Sequence, residues 1–182
     1  MNVGVISTRY AKAMLAYSME HGAEDAIYAN MLQLMYTLHE IRELPTVLQD
    51  PMLSVEDRVA LICDAVEDPS PVFVALARLV VSEEREELLI FIAHAFVSLY
   101  RKEKGILSVE LTTATPIDNE LEQKFKEMLS DGYSTVELEN IVDKSIIGGF
   151  VCKVASRRLD ASVAGQIRDI RKHLVKQNRK LV

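Results

Sequence analysis

DKSIIGGFVCKVASRRLDASVAGQIRDIRKHL, residues 143–174, is the stretch on which the reading of this chain turns. It opens as an apolar strand, Ile147 to Ala155, interrupted by Gly148 and Gly149. A tight basic connection, Arg157 and Arg158, then leads to Asp160 and Ser162 as helix starters. Val163, Ile167, Ile170 and Leu174 follow at i, i+4, i+7 and i+11, one stripe of a 3.6-residue repeat. Arg168, Arg171 and Lys172 take the opposite face. The expectation is a basic helix packed onto a small sheet.

Upstream of that stretch the same two-residue period begins at Gly105. Leu107, Val109 and Leu111 alternate with Ser108, Glu110 and Thr112, which marks a strand with one buried face. Pro116 and Asp118 open a helix carrying Leu121, Phe125, Met128 and Leu129, closed by Gly132, and Val136, Leu138 and Val142 supply a second strand. The order from residue 105 to 182 reads βαββα: two parallel strands joined by a crossover helix, and the last two strands a hairpin.

Before residue 105 the period is helical throughout. Ser7 or Thr8 is placed to cap a first helix that Gly22 ends, with Tyr10, Ala13, Met14 and Tyr17 on one stripe. A second runs from about Ala23 to Glu43 until Pro45 stops it, leaving room for only a turn or two before Pro51. Ser54 with Asp57 reads as a variant capping box for the next. Pro69 and Pro71 precede VFVALARLVV, which its alanines assign to helix, and a long helix follows from about Glu83 to Lys104 with Leu88, Ile92, Ala95 and Leu99 inward. The fold class is therefore α+β: an N-terminal six-helix bundle over 1–104 and a small C-terminal βαββα domain over 105–182.

Composition narrows the function. The chain has 182 residues, 49% of them apolar, no Trp, and scarce Gly and Pro, which favours helix over an all-β sandwich. Cys63 and Cys152 lie far apart, the pattern of buried small apolar groups in a reducing compartment rather than of a disulfide framework. No apolar run reaches the roughly 20 residues that span a bilayer, and the N-terminus lacks the apolar core of a signal peptide. The formal charge of −6 conceals an asymmetry: residues 1–105 carry nine basic against sixteen acidic side chains, and residues 153–182 carry nine against two. An acidic body with a basic end implies surfaces that meet different partners.

Catalytic chemistry finds no footing in this pattern. Gly148 and Gly149 lie in an apolar strand with no phosphate-cradling loop, and a bulge or close backbone contact explains them. His21, His39, His94 and His173 fall on separate helices without an i, i+4 partner, so no metal pair is expected. The run Glu83, Glu84, Glu86 and Glu87 sits where a helix start favours acids, as a solvated face. What survives is apolar excess on the first helix and on VFVALARLVV, suited to receiving an amphipathic helix, and the basic final helix. A small domain with a basic end could also sit on RNA phosphates, but a GxxG loop and strand aromatics for base stacking are absent, so no nucleic-acid partner is expected.

Four stretches together resemble the δ subunit of bacterial F-type ATP synthases, the family that includes the mitochondrial oligomycin-sensitivity-conferring protein. They are RYAKAMLAYSMEHG (9–22), SEEREELLIFIAHAFVSLYRKEKG (82–105), VELTTATPID (109–118) and the opening stretch 143–174. The resemblance implies a non-catalytic stator subunit that links the catalytic F1 head to the b-subunit peripheral stalk and resists rotor torque during proton-driven ATP synthesis, without cofactor or metal. It implies that Tyr10, Ala13, Met14, Ala16 and Tyr17 of the first helix and Val74, Ala77, Arg78 and Val81 of the fifth receive an N-terminal helix of an α subunit. It further implies that the C-terminal domain, through Arg157, Arg158, Arg168, Arg171 and Lys172, holds the b stalk. The place implied is the cytoplasmic face of the bacterial plasma membrane, peripheral and through the complex, with the isolated chain a monomer. Glu83 stands where the family usually has Asn, and the usual Gly and Asp of the last hairpin are here Ser156, Arg157 and Arg158.

Overall fold

Residues 3–154 and 157–178 are described by a computed structural model, with side chains through Lys172. The chain divides into two compact units, Met1–Glu103 and Lys104–Val182. The first consists of α1 (Val3–Glu20), α2 (Glu24–Glu40), a short α3 (Leu44–Leu48), α4 (Val55–Asp64), α5 (Pro71–Ser82) and α6 (Leu89–Lys104), with a 3-10 turn, Glu86–Leu88, leading into α6. The second runs β1 (Ile106–Thr113), α7 (Asn119–Leu129), β2 (Thr135–Val142), a 3-10 turn Lys144–Ile146, β3 (Phe150–Val154), β4 (Arg157–Asp160) and α8 (Val163–Asn178).

Local chemistry sets most helix boundaries. Gly22, at φ +61°, takes the left-handed position after α1, and the Ala23 N–H reaches back to the Ser18 carbonyl at 2.9 Å, closing a Schellman motif. Ser54 and Ser70 cap α4 and α5 by accepting the N–H groups of Asp57 and Phe73. The start of α1 departs from expectation. Ser7 and Thr8 lie inside the helix, Ser7 buried and Thr8 donating to the Gly4 carbonyl at 2.7 Å, because the apolar residues Val3, Val5 and Ile6 extend the helix past them.

The bundle core is built on Ile27, Met31, Leu34, Ile62, Phe73, Leu89, Ile92 and Phe96, all essentially inaccessible, each contributing about 1.5–3 kcal/mol on burial. Polar ties fix the register. Asn30, itself buried, donates to the Asp68 carbonyl at 2.7 Å and accepts the Ser70 N–H at 3.0 Å, joining α2 to the entry of α5. Tyr100 donates to Asp25 at 2.7 Å while its ring stacks on Tyr28 at 4.1 Å, pinning the end of α6 to the start of α2. The inward stripe of α6 is Leu89, Ile92, Ala93, Phe96, Val97 and Tyr100, rotated from the expected one, with Ala95 and Leu99 only half-buried. The bulky aromatics decide the face, since Phe96 and Tyr100 bury more surface than Ala95 and Leu99.

In the second unit the strand order is β2-β1-β3-β4. β1 and β2 pair in parallel through α7, in the register Leu107 opposite Val136 and Val109 opposite Leu138. β3 pairs antiparallel with β1, not with β2, so β2 and β3 do not form the expected hairpin. The hairpin is β3 with β4, a fourth strand where the sequence reads only as a basic connection. β4 is exposed along its whole length and carries no apolar alternation, and its arginines suit a strand at the sheet edge. The sheet core is Leu107, Val109, Leu111, Val136 and Cys152, covered by Phe125 and Leu129 of α7, with Phe125 edge-on to Phe150 at 5.4 Å.

Gly149 has φ +73°, and a Cβ there would lie 2.3 Å from the Ala161 carbonyl oxygen. The close backbone contact expected of the glycine pair is thus real at Gly149, where the chain before β3 passes the start of α8, with the Val163 N–H donating to the Gly148 carbonyl at 3.0 Å.

Candidate partner-binding surfaces

Along α1, small buried residues at Ser7, Ala11 and Ser18 let the helix approach the bundle closely, which turns Tyr10, Ala13, Met14 and Tyr17 toward α5 at its edge. Across from them stand Val72, Ala75, Leu76 and Leu79, and the two helices enclose an apolar groove of about 320 Å³. Tyr17 and Leu79 are each half exposed on its lips. At one end the Tyr17 ring leans on His21, centroids 4.2 Å apart, with His21 Nδ1 donating to the Tyr17 carbonyl at 2.8 Å. At Tyr10, the Arg85 Nη1 donates to the phenol oxygen at 3.0 Å. The groove offers no convergent polar group and no metal ligands. Among the described residues no cluster of His, Cys, Asp or Glu could hold a metal ion.

Of the α1 residues named from the sequence, Tyr10, Ala13, Met14 and Tyr17 line this groove, and Ala16 is exposed outside its wall. The α5 half is rotated. Ala77 and Val81 are buried in the bundle, Val74 is half-buried, Arg78 is exposed, and none of the four lines the groove. With apolar residues on every side of α5, periodicity alone could not choose its outward face. The groove-facing set Val72, Ala75, Leu76 and Leu79 follows only once Phe73, Ala77 and Val80 are seen to take the core.

The second surface is α8. Ser162 caps it, accepting the Gly165 N–H at 2.9 Å, and Asp160 accepts the Ser162 N–H in turn. The Ser162 hydroxyl and then its N–H, both donating to Asp160 Oδ1, with Arg168 at 3.2 Å and Arg158 nearby, hold the Asp160 carboxyl below its ordinary range. Its contribution to stability is therefore present above the ordinary carboxylate value and lost as pH falls through the lowered one. A Cβ at Gly165 would lie 2.7 Å from Asp160 Oδ1, so glycine is the residue that lets this carboxylate fold over the helix start.

The packing of α8 differs from the expected one. Ile167 is 54% exposed and Ile170 61% exposed, so the apolar stripe faces solvent instead of the sheet. Leu174 and His173 lie outside the described side chains. The basic residues named for the stalk are exposed, with Arg158 and Arg168 converging on Asp160 and Lys172 paired with Asp169 at 3.3 Å.

The family model described as "ATP synthase delta (OSCP) subunit" matches residues 6–174. This chain belongs to that family. ATP synthase subunit delta of Bacteroides fragilis is 38% identical over the full length of both chains, and that of Phocaeicola vulgatus 36%, again over all of both. The more distant subunit delta of Lactobacillus acidophilus is 30% identical over 95% of this chain and 96% of its own. A chain in the cryo-EM structure of the Toxoplasma gondii mitochondrial ATP synthase hexamer shares the fold, with a TM-score of 0.67 and 21% identity over 93% of this chain and 97% of that one. As a member of the delta family the chain is a structural stator component of an F-type ATP synthase and not its catalytic subunit. Its association with the membrane is through the F1Fo complex, and no helix among the described residues is long and apolar enough to cross a bilayer.

Proposed function

We propose that the α1/α5 groove receives an amphipathic N-terminal helix of the α subunit of the F1 head, and that the second unit holds the b subunit of the peripheral stalk. The chain would then stand on the cytoplasmic face of the bacterial plasma membrane as the clamp between the two. The observation that carries the reading is the apolar groove itself: about 320 Å³, open to solvent, with half-exposed Tyr17 and Leu79 on its lips. Apolar side chains left at a concave surface between two helices are the recognition mode for a third helix, with anchors at i, i+3 or i+4, and i+7.

The role is mechanical. A rotor turning within the head transmits torque to it, and the stator link must dissociate slowly on the timescale of turnover. Helix-in-groove burial of roughly 800 Å² per partner is compatible with nanomolar binding. On the stalk side, exposed Leu159, Val163, Ile167 and Ile170 supply apolar contact area beside Arg157, Arg168, Arg171 and Lys172, a pattern suited to an amphipathic stalk helix with acidic flanks.

Ala13 is exposed at the groove, so Ala13→Asp places a charge in the path of the bound helix without disturbing the core. The variant is expected to weaken binding of a synthetic α-subunit N-terminal peptide by at least about 100-fold, roughly 2.7 kcal/mol, with the melting temperature nearly unchanged. Unchanged affinity removes the groove from consideration.

A further inference from the structure

The connection between α5 and α6 holds a residue that the groove does not contain but that shapes it. Helix α5 ends in a Schellman motif: the Arg85 N–H reaches the Val80 carbonyl and the Glu84 N–H reaches the Val81 carbonyl, both at 3.0 Å. The left-handed position of that motif, normally glycine, is Glu84 at φ +52°. A non-glycine residue there carries backbone strain that surrounding contacts must sustain. The consequence of the turn is directional. It ends α5 abruptly and sends the Arg85 side chain to α1, where Nη1 donates to the Tyr10 phenol oxygen at 3.0 Å and the guanidinium centre lies 5.8 Å from the ring centroid.

Tyr10 is one wall of the apolar groove, and α1 touches α5 through few residues. We infer that Arg85, presented by the left-handed turn at Glu84, is a positioning residue for partner binding: it locks the Tyr10 ring against α1's neighbour and so holds the groove at the width that a docked helix needs. The inference rests on the α1/α5 groove as the docking site. A ring held in place before binding loses no rotamer freedom on binding, so the lock acts on affinity through preorganisation. Arg suits the task better than Lys because a planar guanidinium can donate to the hydroxyl and lie near the ring face together.

The test uses the full chain and a synthetic peptide of the cognate α-subunit N-terminal helix, with affinities from calorimetry and melting temperatures from circular dichroism. Tyr10→Phe keeps the ring and removes the acceptor, and Arg85→Ala removes the donor. Each is expected to weaken the peptide about tenfold. The double variant should be no weaker than Arg85→Ala alone, because both changes break one contact. Arg85→Lys should recover part of the loss. Glu84→Gly, which keeps the turn and relieves its strain, should raise the melting temperature and leave affinity unchanged. Single variants that bind like the parent, or losses that add in the double variant, overturn the lock. Leu79→Asp separates the two readings: if it abolishes binding while Arg85→Ala does not affect it, the groove stands and the lock falls; if Leu79→Asp has no effect, the groove itself falls.

Discussion

The groove between α1 and α5 and the exposed face of α8 both leave apolar side chains in water, but by different means. The groove is concave and walled. Its residues belong to helices whose other faces are anchored in the bundle core through Met14, Phe73, Leu76 and Val80, so its shape exists before any partner arrives. Among the described side chains of α8, Val163, Ile167 and Ile170 are exposed along the stripe, and the first turn is held through Ser162, Asp160 and the backbone at Gly148. A walled groove can select a helix by shape, whereas an exposed stripe must be completed by the partner's own surface. The two surfaces thus differ in how much of a partner-binding shape each supplies by itself.

The contrast can be sharpened by mutations that act on the supports of each surface. The largest expected effect is at the α8 anchor. Gly149→Ala puts a Cβ 2.3 Å from the Ala161 carbonyl oxygen at a left-handed φ, and should cost about 4 kcal/mol. Hydrogen exchange read residue by residue should show the loss in residues 104–178, with protection of the bundle retained; uniform loss in both units would end the idea that the two surfaces have separate supports.

Next is the bundle's buried ion pair, Arg58 Nη1 to Glu86 Oε1 at 2.7 Å, with the Glu86 side chain 5% exposed. The acidic run at 83–87 is therefore not uniformly a solvated face: Glu86 turns inward because the 3-10 turn before α6 directs it at α4. Glu86→Gln leaves the Arg58 charge uncompensated and should cost about 3 kcal/mol by chemical denaturation, while Glu87→Gln, on an exposed neighbour, should stay within about 0.5 kcal/mol. Equal effects would show that the pair does not support the bundle.

The smallest effect on stability is expected on the open stripe. Ile170→Ser, at a side chain 61% exposed, should change unfolding free energy by less than about 0.5 kcal/mol and yet reduce capture of a purified b-subunit soluble domain. A stability loss comparable with a core truncation, about 2–5 kcal/mol, would mean that α8 is packed through this face in solution.

The legible parts of the sequence were those where one local rule dominates. Gly105 divides helical from strand periodicity, and the chain changes architecture there. Ser54 begins α4 as its cap and Gly22 ends α1 in the left-handed position, and they do so in the structure. The less legible parts are those where several rules are satisfied equally well or none is. Helix α5 is apolar on all sides, which hid the orientation of Val72, Ala75, Leu76 and Leu79. Strand β4, with Arg157, Arg158, Leu159 and Asp160, has no alternation because neither of its faces is buried. Glu84 occupies a glycine position without glycine, so the left-handed turn between α5 and α6, and with it the direction of Arg85, left no trace in residue type.

By itself, then, the sequence determined the family, the α+β class, the succession of elements apart from β4, and the fact that apolar surface is in excess on α1 and α5. Periodicity, caps and charge are properties of neighbours along the chain, and they record those features directly. Only the tertiary structure decided which face of α5 meets α1, that β3 pairs with β1, that the stripe of α8 stays in water and that Arg85 reaches Tyr10. Each of these joins residues far apart in the chain, and burial, not local preference, chooses among faces that are locally equivalent.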